Sequence, residues 1–426
     1  MILKPADSWY EATAGRGPDA PPLEGDVEAD VCVVGAGLSG CSTALHLAGR
    51  GYKVVLLEGN RVGYGASGRS GGQIIPGYAC GMAKLVAQLG RADAKRLWDI
   101  SIEGVDLARD LVEKHRIDCD LVWGHMHVGI KPRQRAELLE WQREQESDYG
   151  YRKLRFLERD EVRQWVQSER YLAGLLDTGA GHLHPLRFTL GVGRAAVAAG
   201  VRLHEHSRVT KIEHGSTVRV RTDRGSVRAP FVALCANVGH EELSGRLGRR
   251  GIGVASYVVA TRPLGAERAA ALLRDRIAVA DLNWIIDYFR VSSDHRMLFG
   301  GRVSYSGVDP LGTGRATRLR MLKVFPQLAD VEIEYAWGGM IDISMSRAPD
   351  FGRLAPNVYY LQGYSGHGML LAPVAGKVAA EAIAGQAERF DVFARLKHQD
   401  FPGGKLFRRP TLVAAMAWFR LRDLMP

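Results

Sequence analysis

Cysteine is scarce in this chain. There are five in 426 residues, Cys32, Cys41, Cys80, Cys119 and Cys235, with no CxxC pair and no Cys/His grouping at ligand spacing. A disulfide framework and a metal site are therefore not expected, and the count fits a reducing cytoplasm. No apolar run approaches the roughly 18–20 residues that a membrane-spanning helix needs. Residues 1–25 lack a basic stretch followed by an apolar core, so they do not read as a secretory signal. They read as an irregular arm with Trp9 and Tyr10 anchored on the body. The net charge is +10, but the basic residues are mostly scattered arginines, such as Arg315, Arg318 and Arg320, with no stripe or lysine-rich run. Nucleic acid is therefore not an expected partner. Internal repeats, low-complexity tracts and long linkers are also missing.

The segment from Ala29 to Gly72 is rich in signal. Val31, Val33 and Val34 suit a strand buried on both faces. Gly35, Gly37 and Gly40 follow in GxGxxG spacing: the first for a tight turn, the second for close approach of a pyrophosphate, the third for helix–strand packing. A helix over about 38–50 then directs its amide-rich start, with Leu38 and Ser39, at phosphate. A second strand over 54–57 ends at Glu58, whose carboxylate can accept from ribose hydroxyls and would repel a 2′-phosphate. This spacing predicts a dinucleotide site.

Five glycines in the eleven residues 63–73 come next: Gly63, Gly65, Gly68, Gly71 and Gly72, interleaved with Ala66, Ser67, Arg69, Ser70 and Gln73. Near the C-terminus, NVYYLQGYSGHGM over 357–369 reads as a strand, a glycine loop and the start of a helix through 384. In this order the three segments resemble the D-amino-acid oxidase-like (DAO) family of FAD-dependent oxidoreductases. The resemblance implies an α/β (α+β) two-domain chain with a Rossmann-like FAD domain of the glutathione-reductase kind. An antiparallel-sheet substrate domain interleaves with it. It also implies FAD contacts from Gly59, Arg61, the 65–73 loop, the Val209 backbone, Ala236 and Asn237. The C-terminal loop would add Gly363, Tyr364, Ser365, Gly366, His367, Gly368 and Met369. Some relatives attach the flavin through a late cysteine or a histidine near the glycine loop. Here no cysteine follows Cys235 and no histidine lies within 60–97, so FAD is expected to be non-covalent.

The expected layout is an arm over 1–25 and an FAD domain over 26–81, 185–250 and 340–385. The substrate domain would cover 82–184 and 251–339, and a tail over 386–426 would hold a short amphipathic helix at 411–424. That helix is expected to pack on the body, with peripheral membrane contact as the alternative. Helices are expected over 82–117 (one or two), 131–150, 186–199 and 315–325. Strands are expected over 122–130 (as a pair), 201–212, 218–235, 254–261, 284–291, 297–304 and 331–337.

With one dinucleotide unit, the flavin would be reduced by substrate and reoxidised by oxygen or another acceptor. Amine oxidation needs geometry more than acid–base machinery. Arg347, in SMSRAP, is the candidate carboxylate anchor, because a guanidinium fork suits that task; the alternative is a structural arginine. Trp284, Tyr288 and Tyr364 are candidate substrate contacts, with a core role as the alternative. His182 and His184 are read as structural. Within the family, SRAPDFGRL, YYLQGYSGHG and the FPGG tail resemble the branch that oxidises gamma-glutamylated polyamines. That would mean conversion of a terminal primary amine to an aldehyde, with ammonia and hydrogen peroxide released. The alternatives are an amino-acid or cyclic imino-acid (L-pipecolate-type) oxidase or dehydrogenase, or a flavoprotein subunit that needs a partner.

Overall fold

A computed structural model describes residues 8–304, 312–403, 407–408 and 410–414. Short β-branched runs form the first sheet. Val31–Val34 and Val54–Leu57 are buried on both faces and pair in parallel, as an apolar run without alternation demands. Phe231–Leu234 and Val358–Gln362 extend the sheet on one side and Arg202–His204 on the other. Asp350–Ala355 closes it as an antiparallel edge of six strands. Helix Leu38–Ala48 covers this sheet and is crossed closely by helix Gly368–Ile383. A Cβ at Gly376 would lie 2.6 Å from the Ser39 carbonyl oxygen, so only glycine admits the crossing.

The second sheet has nine strands and is mainly antiparallel. Its order runs Ile333–Ser344, Gly251–Thr261, Met297–Ser304, Tyr288–Val291, Ala278–Asp281, Val122–Gly129, Ala173–His182 and Gln73–Ile74, with Leu154–Glu158 also paired to Ala173–His182. A separate four-stranded sheet joins Gly25–Glu28, Gly225–Ala229, Val218–Thr222 and Val209–Glu213. This mixed α/β architecture is the expected fold class.

Several expectations need correction. The arm contains a helix, Trp9–Thr13, capped by the Ser8 hydroxyl, which accepts the Glu11 N–H; Trp9 and Tyr10 are buried. Residues 122–130 make one strand, not a pair. The stretch 201–212 splits between two sheets. The strand expected over 284–291 starts only at Tyr288. Before it, the Asp281 carboxylate accepts the N–H groups of Asn283 and Asp287, and this local capture bends residues 282–286 away from the ladder. The last strand of the large sheet runs to Ser344, beyond the expected 337. The helix expected over 411–424 lies outside the described residues beyond 414. Among the described residues no single helix is long and apolar enough to cross a membrane.

Candidate flavin and substrate site

The turn after Val31–Val34 is built as its glycines require. Gly35 has φ +100, and a Cβ on it would lie 2.6 Å from the Cys235 carbonyl oxygen. A Cβ on Gly40 would lie 1.8 Å from the Gly35 carbonyl oxygen, so helix and strand touch backbone to backbone. Gly37 is the N-cap, and a Cβ there would meet only the Ser67 hydroxyl, at 3.0 Å. That hydroxyl accepts the Leu38 N–H at 3.0 Å, so an oxygen acceptor already faces the helix start. Glu58 accepts the N–H groups of Ala36 and Asn60, both at 2.8 Å. Burial pushes its carboxyl up, against the pull of those amides. Gly59 lies against Arg208, and Arg61 faces Glu11 of the N-terminal helix at 3.6 Å.

Both glycine loops rest on the strand Ile333–Ser344. From the 63–73 loop, Arg69 donates to the carbonyls of Tyr64 and Gly338, and its own carbonyl accepts the Trp337 indole N–H. Gly65 opens the short 3₁₀ turn Ala66–Gly68, the Ser70 hydroxyl accepts the Gly72 N–H, and Gln73 donates to the Val279 carbonyl. From the C-terminal loop, the N–H of Gly363 donates to the Asp342 carboxylate at 2.7 Å and that of Ser365 to the Asp342 carbonyl. Gly363, Ser365 and Gly366 have φ of +76, +53 and +102, and a Cβ on Gly366 or Gly65 would meet nothing within 4 Å. Gly368 and Met369 start the following helix, with His367 as its N-cap. Ala236 donates to His240, and Asn237 donates to the Met340 carbonyl. Val209 opens its strand with a buried side chain.

The candidate substrate residues separate. Tyr288 lies under the glycine loop: a Cβ on Gly71 would be 2.7 Å from its ring and one on Gly300 would be 2.1 Å away. Burial pushes its hydroxyl up to about 12. Tyr364 has a buried hydroxyl with no hydrogen-bond partner among the described residues, and its ring lies 5.5 Å from Phe351. Trp284 is 37% exposed, outside any strand, with the Arg347 guanidinium 4.6 Å above its ring. Arg347 itself has φ +61, in a turn where its N–H donates to the Ser344 carbonyl.

Asp342 holds the C-terminal glycine loop and is buried. Desolvation and the nearby Asp350 push its carboxyl up to about 7. The folded state therefore retains a proton that the unfolded chain releases near pH 4, and stability falls as pH rises between those values. Asp342→Asn keeps the acceptor for Gly363 and removes the ionisation. Its Tm relative to wild type should rise by several degrees between pH 5 and 7 and level off above 7, as read in melts at pH 5, 6, 7 and 8. A constant difference across that range would mean that Asp342 does not titrate there.

Comparison with known proteins decides the family. The model described as DAO, FAD dependent oxidoreductase, matches residues 30–382. The chain belongs to the DAO family. It is 39% identical over 417 residues to gamma-glutamylputrescine oxidoreductase of Escherichia coli K12, covering 98% of each chain. Its fold is that of glycine oxidase from Geobacillus kaustophilus, with a TM-score of 0.73 at 21% identity over 88% of this chain and 100% of the other. L-proline dehydrogenase from P. horikoshii superposes with a TM-score of 0.70 at 19% identity, over 87% and 98%.

This DAO-family chain is an FAD-dependent oxidoreductase, and its own residues fit the cofactor. The Gly35–Gly40 turn packs strand and helix backbone to backbone at Gly35 and Gly40, and at Gly37 no protein backbone fills the space that a phosphate would approach. Glu58 sits at the end of the second strand, and Tyr364 Oη and His367 Nδ1 are buried polar atoms without hydrogen-bond partners among the described residues. Two further residues escaped the sequence reading: His125 and His127 on the strand Val122–Gly129. Their signal was a pair of histidines at strand spacing within an otherwise apolar run.

Proposed function

We propose that the enzyme oxidises the terminal primary amine of a gamma-glutamylated polyamine. Amine, water and oxygen would give aldehyde, ammonia and hydrogen peroxide. The supporting observation is the near full-length likeness to gamma-glutamylputrescine oxidoreductase, with Arg347, over the Trp284 ring, as the cation assigned to a distant carboxylate. Bound FAD would supply the acceptor for the two electrons that leave with hydrogen from the amine-bearing carbon, and water would then release ammonia from the resulting imine.

The protein's part is positioning and electrostatics. The Gly35–Gly40 turn, Glu58, the 63–73 loop and the 363–369 loop would hold the cofactor. Tyr288 and Tyr364 offer neutral walls, since burial keeps both hydroxyls protonated. His367 is likewise held neutral, brought down to about 4 by burial and by Arg347. An ammonium entering such surroundings loses solvation without gaining an anion, which favours the neutral amine that oxidation requires. Arg347, over Trp284, would fix the far end of the substrate by a bidentate contact.

A substrate panel tests this: gamma-glutamylputrescine, putrescine, L-pipecolate and L-proline, each with oxygen and with a dye acceptor. Gamma-glutamylputrescine should give the highest kcat/KM by at least about tenfold. Preference for a cyclic imino acid overturns the proposal in favour of an imino-acid enzyme. Turnover with dye but not with oxygen would leave the substrate and replace the acceptor.

A further inference from the structure

The strand Val122–Gly129 carries His125 and His127, which no step above uses. Register fixes where they face. Ala280 pairs with both Tyr288 and His127, and Tyr288 pairs with Gly300, so these four form a row on one face of the large sheet. Phe289, Val279 and Met126, next to them in sequence, point the other way into a separate apolar core. His125, two residues before His127, shares its face. This is the face that the flavin loop meets at Gly71. Strand spacing places His127 about 10 Å from Tyr288 along the row.

His125 is completely buried, and among the described residues neither ring nitrogen has a hydrogen-bond partner. Its ring centroid lies 4.5 Å from that of His127, which lies 4.5 Å from Trp141 and retains part of its own surface. Burial keeps both rings neutral, with His127 at about 3, and His367 is near enough to push both further down. Val128, next to His127, pairs with Asp281, and Trp284, three residues further on, lies under the Arg347 guanidinium, so the pair lies toward the Arg347 end of the site. A neutral imidazole has one donor and one acceptor. Enclosing such a ring with neither used is costly unless a ligand completes it.

We propose that His127, backed by His125, hydrogen-bonds a neutral amide within the substrate, between the amine end near Tyr288 and the carboxylate end at Arg347. The assignment rests on the gamma-glutamyl reading above. An amide offers one N–H and one C=O, which a neutral imidazole pair can match; a carboxylate or ammonium would meet no opposite charge there.

The test uses the FAD-loaded protein and a ligand that cannot be oxidised, gamma-glutamyl-n-butylamide, which keeps amide and carboxylate but lacks the terminal amine. Its comparator replaces –CO–NH– by –CH2–CH2–. Calorimetry should show wild type preferring the amide by about tenfold or more. His127→Leu should erase that preference with FAD content and flavin spectrum unchanged, and His127→Gln, which restores a donor and an acceptor, should recover most of it. Equal weakening of both ligands, or none, overturns the assignment. If His127→Leu fails to take up FAD, the wild-type preference and the His127→Gln result decide. If wild type oxidises gamma-glutamylputrescine but does not distinguish the two ligands, only the histidine assignment falls. If wild type neither oxidises that substrate nor binds the butylamide, the functional reading falls and takes this assignment with it.

Discussion

Gly40→Val should yield a protein without FAD and with a lower melting temperature, while Gly37→Val should lose FAD and keep its fold. The two glycines are three residues apart, and the contrast comes from what each added side chain would meet. At Gly40 the first added carbon would lie 1.8 Å from the Gly35 carbonyl oxygen, which is backbone and has nowhere to go. Helix Leu38–Ala48 must then lift off Val31–Val34, pulling its N-terminal amides away from the cofactor. Overpacking of this kind costs at least about 1–3 kcal/mol. At Gly37 the neighbour is the Ser67 hydroxyl, at 3.0 Å, on a side chain that can rotate. A valine there projects into the space a pyrophosphate needs, with little effect on packing. Flavin absorbance per protein and the melting temperature of the apoprotein separate the outcomes. Full FAD content in Gly40→Val would remove the glycine turn from the cofactor site.

Arg347→Ala should lower kcat/KM for carboxylate-bearing substrates by roughly 30- to 1000-fold, equivalent to about 2–4 kcal/mol for a charge-assisted bidentate contact. An anchoring role for Arg347 predicts unchanged FAD content. Simple diamines should be affected much less. Arg347→Lys should recover only a fraction, since an ammonium keeps the charge and loses the fork. The stacked position over Trp284 also predicts a smaller loss of the same pattern for Trp284→Ala, because the guanidinium would lose the surface that orients it. Equal loss on both substrate types, or loss of flavin, would make Arg347 a structural residue.

Local signals in the sequence were easiest to read where the backbone itself is the constraint. Helix Leu38–Ala48 and the strands Val54–Leu57 and Met297–Ser304 appear where glycine spacing and apolar runs put them. Gly25–Glu28 and Asp350–Ala355 were missed, since each is short and largely polar or mixed; the first exists by pairing with Gly225–Ala229, far along the chain, and the second as a hairpin with Val358–Gln362. Trp284 was misplaced because an Asp281 side chain outcompeted the ladder for two amides, which no periodicity reveals. The histidine pair was invisible as a site for a related reason. HMH reads as an ordinary strand until the register of three other strands puts both rings on the flavin side.

The buried helix Trp9–Thr13 bears on how the chain is made. The Trp9 indole donates to Asp294, Arg290 donates to the Tyr10 hydroxyl, and the Tyr10 ring packs 5.0 Å from Trp337. Every one of these partners emerges from the ribosome at least 280 residues after the aromatics that need them. At synthesis rates of about 5–20 residues per second, two large apolar side chains wait roughly 15–60 s for their sockets. Trp9 and Tyr10 are thus among the last side chains to find all their partners, and a nascent chain stalled before residue 337 would present them to whatever binds exposed aromatics.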